Sequence, residues 1–203
     1  MPDIHRKGGT MGKKVIGAIG KNASGKDTVL DLLAKKYGVP SISMGDIVRD
    51  IARAKGIEPT RENLNEISRA HFGAFGPDYF IKMVIDRIDA SGAPITVVTG
   101  IRTYVDAKSL HERFGDDFLL IHVVVSDDGV RMRRALERGT ARDPKTLEEL
   151  QQHDAREERI FGIRKAATLA ASTITNDGTL EELEGEIECW VAENLPQIAG
   201  KSR

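Results

Sequence analysis

Gly20-Lys21-Asn22-Ala23-Ser24-Gly25-Lys26-Asp27-Thr28 is the stretch on which the reading of this chain turns. It follows Val15-Ile16-Gly17-Ala18-Ile19, a compact apolar run that suits a buried strand. It leads into Lys26 to Tyr37, where Val29, Leu32 and Leu33 recur at helical spacing until Gly38 and Pro40 close the helix. A glycine-rich turn from strand to helix is the setting of a phosphate-binding loop. Glycines at both ends, Gly20 and Gly25, let the backbone curl so that successive N–H groups point at one anion. The helix N-terminus adds partial positive charge, and the Lys26 ammonium bridges the terminal phosphates. Gly20, Asn22, Ala23, Ser24, Gly25, Lys26, Asp27 and Thr28 are therefore the expected contacts of a polyphosphate. The full pattern ends in Gly-Lys followed by Ser or Thr, whereas here Asp27 intervenes and the hydroxyl is displaced to Thr28. A carboxylate at that place repels a polyphosphate unless it faces away or holds magnesium.

Outward from the loop, short β-branched runs alternate with longer amphipathic stretches. Ser41 to Ser43 reads as a second strand, Ile95 to Thr99 as a third, Phe118 to Val125 as a fourth and Ser172 to Thr175 as a fifth. In the fourth run only His122 is polar. Helices are predicted over Asp46 to Lys55, Arg61 to Phe72, Tyr79 to Asp89, Tyr104 to Phe114, Gly129 to Arg138 and Thr179 to Asn194. Thr146 to Ala171 reads as one long charged helix, bent near Gly162. Five strands separated by helices call for an α/β fold, a parallel sheet with helices on both faces. The segments between the second and third strands, and between the fourth and fifth, exceed what a crossover needs. They are expected to sit over a site.

Composition narrows the class. The chain of 203 residues suits one domain, or at most two small ones, with 40% hydrophobic and 30% charged residues typical of a soluble globular protein. Thirty basic against thirty-one acidic residues argue against a general nucleic-acid binder. Cys189 alone makes no internal disulfide and no multi-cysteine metal site. The apolar runs are too short to span a bilayer, and the N-terminal stretch MPDIHRKGGTMGKK lacks the apolar core of a secretory signal. The expectation is a cytoplasmic protein with a loose N-terminal tail.

Three further constellations accompany the loop. Asp46, in Ser43-Met44-Gly45-Asp46-Ile47-Val48-Arg49, reads as a helix N-cap, and Arg49 one turn on lies where it could reach an anion above the sheet. Arg102, in Thr99-Gly100-Ile101-Arg102-Thr103, stands at the carboxyl end of the third strand, where ligands of open α/β sheets gather. It is either a bidentate anion ligand or a surface arginine paired with Asp106. The third is arginine-rich, with Arg131, Arg133, Arg134, Arg138, Arg142, Arg156 and Arg159. It is either a solvated charged face or the excess positive charge that phosphoryl transfer needs.

GKNASGKDT, ISMGDIVR, TGIRT and TNDGTLEEL fall in the order and spacing of the nucleoside monophosphate kinases. Over roughly Lys13 to Leu195 the chain resembles an adenylate-kinase-related group close to dephospho-coenzyme A kinase. The resemblance implies a P-loop kinase fold: a single domain over 13–198 between tails at 1–12 and 199–203, with an acceptor-binding insertion at about 44–92 and a lid at about 138–160. It implies ATP and Mg2+ as cofactors, with Thr28 and Asp46 as magnesium contacts. Ser43, Asp46 and Arg49 would line the acceptor site, with Arg102 on the acceptor phosphate. Arg134 and Arg138 look like the mobile lid arginines, with Arg142 and Arg156 further along, and Asn176 and Gly178 fall beside the donor base. Read locally, Asp177-Gly178 is a turn and Thr179 an N-cap with Glu182 at the capping-box position.

Adenylate kinases also place the loop hydroxyl one residue late, as Thr28 is here. Two departures stand out: Met44 replaces a threonine that helps bind AMP, and Thr99 stands where those kinases usually carry an acidic residue. The expected activity is transfer of the γ-phosphoryl group of Mg·ATP to a small phosphorylated acceptor, foremost a nucleoside monophosphate. The catalytic set is then Lys26, Arg102, Arg134 and Arg138. The alternatives are a dephospho-coenzyme A kinase-like enzyme, with Asp46 as base, and a regulatory nucleotide-binding ATPase, which Thr99 favours. Expected partners are a small nucleotide substrate, neither nucleic acid nor membrane, and at most a second copy of the chain.

Overall fold

The computed structural model describes residues 12–140 and 143–200. Of the tails expected at 1–12 and 199–203, residues 1–11 and 201–203 lie outside the described residues, as does Arg142. Five strands form one sheet: β1 (Lys14–Ile19), β2 (Ser41–Ser43), β3 (Ile95–Thr99), β4 (Phe118–Val124) and β5 (Ser172–Thr175). Their order is β2-β3-β1-β4-β5, and every pairing is parallel. Strands buried on both faces must be apolar throughout, which is why β1, β3 and β4 read as continuous hydrophobic runs. The sheet grows in both directions from β1, so its carboxyl end lies at the topological switch point where such folds bind ligands.

The connecting helices are α1 (Lys26–Tyr37), α2 (Met44–Ala54), α3 (Arg61–Phe75), α4 (Tyr79–Ala90), α5 (Tyr104–Phe114), α6 (Asp128–Arg138), α7 (Leu147–Phe161), α8 (Ile163–Ala167), α9 (Leu180–Asn194) and α10 (Pro196–Ala199). On one face of the sheet, Val29 and Leu33 of α1 and Leu183, Ile187 and Trp190 of α9 bury against Ile16, Val97 and Val123. On the other, Ile47, Phe80, Val84, Leu110 and Ile163, from α2, α4, α5 and α8, bury against Val15, Ile19, Val98 and Leu120. Alternate β1 residues face opposite layers, as the period of two requires. Gly17, on the second face, approaches its layer so closely that a Cβ there would lie 2.3 Å from Ile101 Cδ1. None of the described helices is long and apolar enough to cross a membrane.

The two long connections are helical, and both add to the second face. Between β2 and β3 lie α2, α3 and α4; between β4 and β5 lie α6, α7 and α8. The long helix expected over Thr146 to Ala171 is two helices, because Gly162 adopts a left-handed conformation (φ +64°) and ends α7. Asp46 is not the N-cap of its helix. Helix α2 starts at Met44, directly after β2, with Ser43 at the cap and Asp46 inside the first turn. The expected capping box of α9 is present: Thr179 accepts from the Glu182 amide, and Glu182 accepts from the Thr179 amide.

Candidate functional site

The loop between β1 and α1 is shaped by three local constraints. Gly20 lies so close to β4 that a Cβ would stand 2.4 Å from the Val123 carbonyl oxygen. Ala23 has a positive φ of 58°, and Gly25 one of 89°. A left-handed alanine costs about 1–2 kcal/mol, and such strain gathers at functional sites. The Ala23 amide is tied to Asn22 Oδ1 at 2.9 Å, and the Ser24 amide to the Lys21 carbonyl at 3.2 Å. Among the described residues the amides of Gly25, Lys26, Asp27 and Thr28 have no protein acceptor. They form the open N-terminus of α1, a ready site for an anion.

Lys26 begins α1 with its side chain four-fifths covered, and its nearest carboxylate, Asp27, lies 3.7 Å away. The Asp27 side chain is 67% exposed, so solvent screens the repulsion its position threatened. Thr28 is also exposed at the helix start. Behind the loop, Asn176 is buried and donates from Nδ2 to the Ser24 carbonyl at 2.9 Å. This contact requires glycine at position 25, because a Cβ there would lie 2.2 Å from Asn176 Nδ2. Gly25→Ala should therefore both strain the backbone and displace Asn176, at about 2–3 kcal/mol together. Urea unfolding should show that loss, and titration with Mg·ATP should show weakened binding.

Among the described arginines of the second long connection, Arg131, Arg134 and Arg138 are engaged by protein oxygens. Arg134 donates to the Asn176 carbonyl (2.7 Å), to Asn176 Oδ1 (3.3 Å) and to the Gly178 carbonyl (3.0 Å), fastening α6 to the loop after β5. Arg138 pairs with Asp143 through Nε at 3.0–3.1 Å and reaches Asn22 Oδ1 at 3.3 Å. That guanidinium, with the Thr140 hydroxyl and amide, holds the Asp143 carboxyl far below the usual carboxylate range. Gly139 ends α6 as expected. Arg156 is exposed on α7, and two positions from Asp154 it points about 200° around the helix, away from the loop.

On the other side of the loop, the ends of β2 and β3 bring Ser43 and Thr99 into register. Gly100 (φ +88°) packs against Met44, where a Cβ would sit 3.4 Å from the Met44 Cβ. This joins the start of α2 to the segment carrying Arg102. Arg49 binds Asp46 Oδ1 through Nε (2.9 Å) and Nη2 (2.6 Å). Asp106 does not pair with the Arg102 guanidinium. Its carboxylate accepts the amides of Arg102 (3.2 Å) and Thr103 (2.9 Å) and completes a capping box on α5. Burial pushes that carboxyl above its ordinary pKa, with the amide bonds pulling the other way. Among the described residues Arg102 has no carboxylate partner. Its guanidinium lies 5.9 Å over the ring of Phe161, at the end of α7.

The residue that sequence reasoning did not place is Arg131. It is 1% exposed, and it donates to Asp154 (3.0 and 2.6 Å), to Asp128 and to the Asn22 carbonyl (3.1 Å). Lys21 also approaches Asp154, at 3.4 Å. One guanidinium thus ties α6, α7 and the phosphate loop together. A signal was present: Arg131 shares a helical face with buried Ala135 at i+4 and with Asp128 at i−3.

A glycine-rich loop with free amides and a covered lysine, set at the switch point of a five-stranded parallel sheet, defines a P-loop nucleotide-binding domain of the kinase fold. Residues 19–151 match the profile of the AAA domain family. The UPF0200 protein of Methanoculleus marisnigri is 36% identical over 174 residues, 86% of this chain and 93% of that protein. The chain belongs to the UPF0200 family and carries the AAA domain. A shikimate kinase from Bacteroides thetaiotaomicron matches 89% of this chain and 97% of its own, with a TM-score of 0.57 at 16% identity. A gluconokinase from Sinorhizobium meliloti matches 94% and 98%, with a TM-score of 0.51 at 17% identity. At those identities the likeness is one of fold.

Proposed function

We propose that this protein is an ATP-dependent phosphotransferase that moves the γ-phosphoryl group of Mg·ATP to a small phosphorylated acceptor. The observation that carries the reading is the row of four unpaired amides, Gly25 to Thr28, beside the Lys26 ammonium. That donor set fits a polyphosphate and no cation. Mg·ATP supplies the phosphoryl group and neutralises part of its charge. The loop amides and Lys26 hold the β- and γ-phosphates, and Thr28 offers a hydroxyl to magnesium. Among the described residues no cluster of three carboxylate, histidine or cysteine side chains could hold a metal alone, which suits magnesium carried in on phosphates. Asp46 accepts both Arg49 bonds at Oδ1, so Oδ2 is the oxygen it would offer the metal.

Arg134, through Asn176 and Gly178, frames the donor-base side, and Arg138 is one side-chain contact from the loop, at Asn22. Arg102, free of a carboxylate partner at the end of β3, takes the acceptor phosphate, with Ser43, Asp46 and Arg49 beside it. An acceptor phosphate oxygen forms the new bond to the γ-phosphorus as the bond to the bridging oxygen breaks, and ADP leaves with that electron pair. No base is needed when the attacking oxygen is already ionised. The segment at about 138–160 would act as a lid that excludes water, and 44–92 as the acceptor insertion.

The resemblance to nucleoside monophosphate kinases suggests such a nucleotide as acceptor, and dephospho-coenzyme A as the alternative. The test is twofold. Mg·ATP should raise the melting temperature with concentration, by about 2.7 kcal/mol of stability at a hundred times its Kd. A phosphorylated acceptor should then raise ADP release well above the hydrolysis background. Binding of Mg·ATP without stimulation by any acceptor would favour the regulatory ATPase, the reading to which Thr99 points.

A further inference from the structure

A cavity of about 380 Å³ lies beside the phosphate loop, large enough for a small ligand. The carboxyl end of β4, from His122 to Val125, lines it, together with Lys21 and Ser24 of the loop. Two of its polar groups have no partner among the described residues. Ser24 is 1% exposed, and its hydroxyl makes no hydrogen bond. Buried hydroxyls are almost always paired. His122, half-buried, makes no hydrogen bond among the described residues, and burial lowers its pKa.

The charged groups around them are already matched. Asp154 is held by Arg131 and Lys21, and Glu158 by Arg164 at 3.3 Å. Cations exceed anions in this wall, and those nearest solvent are Arg164 and Lys21, with side chains 86% and 56% exposed. The site therefore presents ion pairs at its rim over a hydroxyl-and-imidazole interior. Apart from His122 its described lining has no aromatic ring, so a nucleobase there would have only that imidazole and the Arg164 guanidinium to stack on. Ile163 of α8, another wall residue, packs on the sheet face that carries α2 and α4. Phe161, under the Arg102 guanidinium, lies three residues past Glu158, about 4.5 Å along α7.

We infer that this cavity binds the hydroxylated carbon body of the phosphoryl acceptor, and that the acceptor is a sugar or polyol phosphate with its phosphate at Arg102. The inference rests on the phosphotransferase reading and narrows its acceptor from nucleotides to phosphorylated polyols. Ser24 and His122 satisfy its hydroxyls, and Arg102, which has no carboxylate partner among the described residues, holds its phosphate.

The probes are ribose 5-phosphate and glycerol 3-phosphate, set against AMP, GMP, CMP, UMP and dephospho-coenzyme A. At least one of the two polyol phosphates should raise the melting temperature without nucleotide present, and should raise ADP release from Mg·ATP at least tenfold. Ala155→Phe, which fills the mouth from α7, should raise the half-saturating probe concentration at least tenfold. His122→Leu, which removes the polar floor but keeps an apolar strand residue, should do the same. Circular dichroism checks that both variants fold. Stimulation by the nucleotides or dephospho-coenzyme A alone, or an unchanged response in two folded variants, overturns the inference. So does a Mg·ATP-induced thermal shift accompanied by no response to either polyol phosphate, and that result leaves the kinase reading standing. Absence of any Mg·ATP shift removes the kinase reading and this inference with it.

Discussion

Lys26→Ala should lower acceptor-dependent ADP formation by about a hundredfold or more, the usual cost of losing a preorganised charge stabiliser. The size follows from the surroundings of the ammonium. The side chain is four-fifths covered, and among the described residues the one carboxylate paired with it is 3.7 Å away and mostly in solvent, so its charge is available to a phosphate. A hundredfold loss corresponds to about 2.7 kcal/mol of transition-state stabilisation. The fold should be nearly indifferent, because position 26 opens α1, where alanine is a good helix former. The informative measurement is therefore turnover alongside melting temperature. A variant that melts like the parent and turns over like the parent would falsify the role of the loop in phosphoryl transfer.

What the sequence showed plainly was whatever depends on near neighbours. β2, β3 and β5 and helices α1 and α5 have the bounds that periodicity and capping signals indicate, since each is set by alternation, a glycine stop or an N-cap within a few residues. The cap at Thr179 is of the same kind. Asp46 was misplaced by three positions because β2 runs into α2 without a loop, a feature of the sheet edge and not of local propensity. Arg102 and Asp106 are four residues apart and invite pairing, yet the carboxylate is used by two amides that a spacing argument does not see. Arg134 and Arg138 read as charges awaiting a ligand, and each is met by protein oxygens brought in from other elements. The cavity beside the loop was invisible for the same reason, since its walls come from the first loop, the end of β4, α6, α7 and α8.

Asp154→Ala should lower stability by about 3 kcal/mol, because a buried guanidinium loses two charge-assisted bonds and keeps Asp128 as its remaining carboxylate. For a chain of this size that is a fall in melting temperature of roughly 10 °C. Arg131, 1% exposed, would keep Asp128 and the Asn22 carbonyl but lose both bonds to α7. Lys21 would lose its carboxylate as well. A purely structural ion pair predicts that replacing both partners by apolar residues of similar size, Arg131→Met with Asp154→Leu, recovers most of the stability. The geometry predicts something more for function. Arg131 is the only side chain joining the Asn22 carbonyl to α7 among the described residues, so the double variant should melt near the parent temperature and still bind Mg·ATP more weakly. Recovery of stability without recovery of affinity would separate the two roles of the pair: filling a buried site, and holding the backbone of the phosphate loop in the strained form that leaves its amides open.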